Sequence, residues 1–148
     1  MTREQLIALA RDAAARWQLY PALVCAVCEQ ESSWNPCAIR YERGFWEKYV
    51  EPLWLKAAIK TLTEAQARSF SWGLMQVMGQ VAREHGFQGT SLAELCDPAV
   101  GLEIGCRVLA GKLAAAEGNV TRALLLWNGG ANAAYPAQVL SRAEKYAP

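Results

Sequence analysis

A single histidine, His85, stands in this chain of 148 residues. That scarcity excludes zinc motifs built from two histidines one helical turn apart around a glutamate. Neither sign of charge is in excess: 15 Lys and Arg face 14 Asp and Glu, a formal net charge of +1. The basic residues are scattered, so the clustered basic face of a nucleic-acid footprint is missing. Long apolar runs are missing too. The most apolar ones, Pro21 to Cys28 and Ala123 to Trp127, fall far short of the ~20 residues of a membrane span. The start, Met1-Thr2-Arg3-Glu4-Gln5, is polar and has no signal-peptide core, which points to synthesis in a reducing compartment. The cysteines are Cys25, Cys28, Cys37, Cys96 and Cys106, an odd number that cannot all pair. They read as small core residues rather than as a disulfide framework or a metal site.

What is present is a globular composition, 53% hydrophobic and 20% charged, at the length of one domain. The periodicity is helical almost throughout. Thr2-x-x-Gln5 reads as a capping box before an amphipathic helix with Leu6, Ile7, Ala10, Ala13, Ala14 and Trp17 on one face. Pro21 opens a nearly all-apolar helix that Asn35-Pro36 ends. Phe45 to Val50 suits a short helix, and Thr63-x-x-Gln66 suits a cap for another. Ser69 to Gly73 is turn-like, and Gln76 to His85 reads as a helix stopped by Gly86. Ser91-x-x-Glu94 is a further capped turn. Asp97-Pro98 opens a long helix, Thr121 to Trp127 forms another, and about Ala133 to Tyr146 the last. No strand pair is expected. The fold class is mainly α, a single domain over 1–148 with roughly seven to nine short helices.

Four segments carry residues suited to chemistry. In Gln30-Glu31-Ser32-Ser33-Trp34-Asn35-Pro36 a carboxylate sits at the C-terminal end of an apolar helix. Apolar surroundings and the negative end of the helix dipole both disfavour its charged form, which suits an acid working near neutral pH. In Ser69-Phe70-Ser71-Trp72-Gly73-Leu74-Met75-Gln76 the glycine permits close backbone approach, and Gln76 can both donate and accept hydrogen bonds. In Leu126-Trp127-Asn128-Gly129-Gly130 a helix ends beside an amide, with Tyr135 further along. Arg40-Tyr41-Glu42-Arg43, with Phe45, Trp46 and Glu47 nearby, supplies Glu42 as a candidate second carboxylate.

Taken in order, these segments resemble the lytic transglycosylase catalytic domain of the lysozyme-like superfamily. That family shows a Glu-Ser motif followed by Asn-Pro, then Gly-Leu-Met-Gln, then aromatic-Asn-Gly. Here they stand as Glu31-Ser32-x-x-Asn35-Pro36, Gly73-Leu74-Met75-Gln76 and Trp127-Asn128-x-Gly130. The likeness extends to Asp97-Pro98, Gly105, Tyr135 and Val139-Leu140, and covers about residues 17 to 146. It implies a lysozyme-like fold with a groove for peptidoglycan strands and no metal or cofactor. Glu31 would be the catalytic acid and then the base. It would protonate the oxygen between N-acetylmuramic acid and N-acetylglucosamine, then help the muramic hydroxymethyl close an anhydro ring. Gln76 and Asn128 would hold sugar substituents, Trp127 and Tyr135 would line the groove, and Ser71 would orient Glu31. A monomer is expected, without integral membrane association.

Three departures qualify the likeness. Trp127 stands where Tyr is common, which keeps an aromatic platform and loses a hydroxyl able to reach the catalytic Glu. The stretch Arg40 to Phe70 is longer than a minimal version and carries Glu42. A stand-alone domain without a signal resembles a phage endolysin or a conjugation-associated hydrolase, made in the cytoplasm and delivered to the wall. Other activities stay open at this point. A goose-type lysozyme would hydrolyse the same bond, and inversion would need a second carboxylate roughly 6.5–9.5 Å from the first, with Glu42 before Glu47 as candidate. A cysteine peptidase would pair a thiol with His85, and a glycan-binding module would not cleave at all.

Overall fold

The computed structural model describes residues 1–148. Helix α1 (Arg3–Arg16) starts at the expected capping box, in which Thr2 and Gln5 satisfy each other's backbone N–H groups. Its buried residues are Leu6, Ala10, Ala13 and Ala14, the spacing of one helical face. Helix α2 (Pro21–Ser32) has Pro21 in its first turn and buries every residue from Ala22 to Cys28. A helix buried all round lies at the centre of a core. Here α1 flanks it on one side, and α9 (Tyr135–Ala143) with the 3₁₀ turn Glu144–Tyr146 flanks it on another.

Asp97 caps α7 (Pro98–Ala115) by accepting from the N–H groups of Ala99 and Val100. This longest helix packs against α1, α6 (Gly79–Glu84) and α8 (Val120–Trp127), and Asn119 caps α8. Gly105 faces the motif before α6. A Cβ there would lie 2.3 Å from the Met75 sulfur, so a bare backbone is what admits the methionine. One core of 29 buried residues joins these helices, and a satellite of Val50, Ile59 and Ala65 sits under the Arg40–Phe70 stretch. No helix is long and apolar enough to cross a membrane.

The structure departs from the sequence expectations in the middle of the chain. A three-stranded antiparallel sheet is present: β1 (Ile39–Tyr41), β2 (Phe70–Trp72) and β3 (Val77–Met78), in that order. Strands of two or three residues are too short to show alternation, which is why Ser69 to Gly73 resembles a turn in sequence. Phe45 to Val50 is helical, but as a short turn α3 (Arg43–Phe45) leading to a π-turn over Trp46–Val50 and then α4 (Glu51–Leu55). Helix α5 (Leu62–Arg68) is capped by Thr61, whose hydroxyl accepts from the Glu64 N–H, and not by Thr63. Gln76 lies outside α6, in a left-handed turn at φ 51°.

Candidate active site

Glu31 occupies the last turn of α2, and the next three residues fix where its carboxylate ends up. Ser33 and Trp34 both adopt left-handed backbone, at φ 51° and 67°, which stops the helix. Trp34 then turns inward, and its indole N–H donates to the Tyr146 hydroxyl over 2.9 Å. Ser32 places its hydroxyl 2.8 Å from the carbonyl of Leu74 and 3.0 Å from that of Cys28. The end of α2 is thereby bolted to the Gly73–Gln76 turn. That turn is itself tight: Gly73 has φ +70°, and a Cβ there would meet the Leu95 carbonyl oxygen at 2.3 Å.

The Glu31 carboxylate is half-buried, and one of its oxygens takes two hydrogen bonds. The Tyr135 hydroxyl donates to Oε1, and the Trp127 indole N–H donates to the same atom over 3.2 Å. Oε2 has no protein partner and is not enclosed, so solvent reaches it. Burial raises the Glu31 pKa above the ordinary carboxylate value, and the bonds from Tyr135 and Trp127 and the charge of Arg40 offset it only in part. Burial and then the Glu31 charge push Tyr135 far up, so it remains a protonated donor.

Glu29, on the same turn of α2, has the opposite fate. Burial alone would raise it too, but hydrogen bonds from the Tyr146 hydroxyl at 2.8 Å and Lys145 at 3.1 Å outweigh burial. It is held below the usual range and stays ionised. Two glutamates two residues apart are thus driven in opposite directions by their neighbours, the pattern that separates an acid from a structural anion.

Burial thus raises one glutamate, and the other two motifs fold around the helix end that carries it. A model of the Transglycosylase SLT domain matches residues 8–147. The chain belongs to this family. SLT domains are peptidoglycan lytic transglycosylases, enzymes that cleave glycosidic bonds, and the mainly helical lysozyme-like fold agrees with that membership. Searches of curated proteins and of solved structures find no match.

Within this SLT domain the expected site residues divide. Glu31, Trp127 and Tyr135 meet directly. Trp127 recovers with its indole N–H the contact that a missing tyrosine hydroxyl would forfeit. Ser71 does not bond to Glu31. It is 2% exposed, and its hydroxyl donates to Gln76 Oε1 over 2.7 Å, with the Arg40 carbonyl at 3.4 Å. Gln76 has its whole amide engaged, since Nε2 also donates to the carbonyls of Ala38 and Gly73, both at 2.9 Å. Asn128 accepts from the Asn132 N–H over 2.8 Å through Oδ1, while its Nδ2 has no protein partner. Glu42 is paired with Arg40 at 2.6 Å and its side chain is 39% exposed.

Sequence reasoning missed three contributors: Ser32, Trp34 and Tyr146, which together hold the end of α2. Ser32 belongs to the Glu-Ser motif, and that is the one signal that could have found it. A separate cavity of about 650 Å³ lies between α5 and α6, with Lys60, Glu64, Arg68, Arg83 and Glu84 in its wall. There Glu64 accepts from both Arg68 and Arg83 at 2.8–3.2 Å, which braces the two helices.

Proposed function

We propose that this SLT-domain enzyme cleaves the β-1,4 bond between N-acetylmuramic acid and N-acetylglucosamine in peptidoglycan, and that it leaves anhydro-muramic ends. Neutral Glu31 gives its proton to the bridging oxygen as the bond from that oxygen to C1 breaks. The resulting carboxylate takes the proton of the muramic C6 hydroxyl, whose oxygen bonds to C1 and closes the ring. One carboxyl serves both steps, and no water is consumed. Asn128 Nδ2 offers a donor to a sugar substituent, and the groove is expected to run past Trp127.

The observation that carries this reading is the single raised carboxyl. Among the acidic side chains with a displaced pKa, burial raises Glu31, whereas Glu4, Glu29, Glu64 and Glu94 are all lowered. Glu42, the candidate for activating water, is tied to Arg40 at 2.6 Å. A hydrolytic, goose-type outcome would need Glu42 or another carboxylate freed for that task.

Mass spectrometry of fragments from purified peptidoglycan tests the reading. Muramic ends lighter by one water are expected, and Glu42→Gln should release the same products at a similar rate. Reducing muramic ends would make the enzyme a lysozyme, and loss of activity in Glu42→Gln would name its base.

A further inference from the structure

The two donors on Glu31 converge on one atom, and they differ in kind. A tyrosine hydroxyl both donates and accepts, so it can turn to suit either oxygen chemistry. An indole N–H only donates. We infer that Trp127 is a positioning residue that fixes the proton of neutral Glu31 on Oε2, the oxygen that solvent and substrate can reach. The inference rests on the transglycosylase reading and concerns the same site.

In a neutral carboxyl group one oxygen is a carbonyl acceptor and the other carries hydrogen. Oε1 faces the Tyr135 hydroxyl and the Trp127 N–H, so as a carbonyl it satisfies both. If Oε1 carried the proton, Tyr135 could rotate and accept it. The Trp127 N–H would then point at a hydroxyl with depleted accepting capacity and could not adjust. Trp127 therefore decides between the two placements, and Tyr135 alone would not. The consequence for the reaction is that the proton leaves from Oε2 and returns to Oε2. A tyrosine in position 127 would lack this selectivity, since it could accept a proton from Oε1 as well as donate.

Two replacements isolate the N–H. Trp127→Phe removes it together with part of the ring. Incorporation of 3-benzothienylalanine at position 127, with sulfur in place of the N–H, removes it while keeping the ring shape. The first readout is the pH-difference infrared spectrum, with Glu31→Gln subtracted to isolate the carboxylic C=O band of Glu31. A carbonyl with two hydrogen bonds vibrates at lower frequency than one with a single bond. The Glu31 band is expected to move upward in both variants. The second readout is the pH profile on purified peptidoglycan. Loss of a donor to the ionised carboxyl moves the alkaline limb up by roughly one to two pH units. On the acid side kcat falls about three- to tenfold with little change in KM.

A Glu31 band and an alkaline limb both unmoved in the folded benzothienyl protein would overturn the inference. Absence of glycan cleavage by the unmodified enzyme would instead overturn the transglycosylase reading. The infrared shift does not depend on turnover, so the two failures can be told apart.

Discussion

Replacing Gln76 with alanine separates a strut from a sugar ligand. Its amide makes three internal hydrogen bonds, to Ser71, Ala38 and Gly73, at 2.7–2.9 Å. Each such bond contributes about 1 kcal/mol net, and the buried Ser71 hydroxyl is left with only the longer contact to Arg40. The expected loss for Gln76→Ala is therefore about 3 kcal/mol. For a domain of this size that lowers Tm by roughly 6–12 °C, measurable by differential scanning calorimetry. Gln76→Gly makes an internal control. It loses the same bonds but relieves the left-handed backbone at φ 51°, worth about 1 kcal/mol, so it should melt above the alanine variant. Gln76→Ala with Tm within about 1 °C of wild type, and a raised KM, would refute the strut and restore Gln76 as a substrate contact.

Glu31→Gln is expected to abolish cleavage and leave the circular dichroism spectrum unchanged. Burial raises the folded pKa of Glu31 above its unfolded value, so its contribution to stability is full below the unfolded pKa and is lost as pH rises through the folded pKa. The Tm advantage of Glu31→Gln over wild type should accordingly widen from acid to neutral pH, and a constant gap would contradict the raised pKa. Of the free thiols, exposed Cys37 should react first with a disulfide reagent, while buried Cys25, Cys28 and Cys106 should wait for denaturant. Early labelling of Cys106, whose pKa burial pushes up to about 12, would show that the core opens readily. Gly105→Ala drives a methyl against Met75 and should destabilise by about 1–3 kcal/mol, with reduced turnover because the Gly73–Gln76 turn shifts. Equal Tm and rate in a thermal melt and a lysis assay would show that Met75 can move aside.

Local signals in the sequence are reliable where a residue acts on its own backbone. Thr2, Ser91 and Asp97 cap the turns that their patterns mark, because capping involves neighbours two or three positions away. The apolar run of α2 likewise marks the buried helix whose last turn holds Glu31. Signals fail where a partner is distant. The sheet needs β1 and β2, separated by the whole Arg43–Arg68 stretch, and neither strand alone is long enough to show a period. Thr61 and Thr63 both head plausible capping patterns, and the structure gives the cap to Thr61, whose hydroxyl accepts from the Glu64 N–H. The ring of Trp127 is visible in the sequence as a stacking platform, whereas the direction of its N–H is not. The motif order sets Ser71 beside Glu31, but the strand that carries it turns its hydroxyl toward Gln76.

The acid and its donors lie far apart along the chain: Trp127 is 96 residues beyond Glu31, and Tyr135 is 104 beyond it. At the usual pace of translation, on the order of 5–20 residues per second, several seconds pass between making the carboxyl and making its second donor. Through that interval α2 has no α9 to cover its flank. A nascent chain stopped before Tyr135 would carry the motif glutamate without the hydroxyl that helps hold it. The pair of hydrogen bonds on Glu31 is therefore complete only once the segment through Tyr135 has been made.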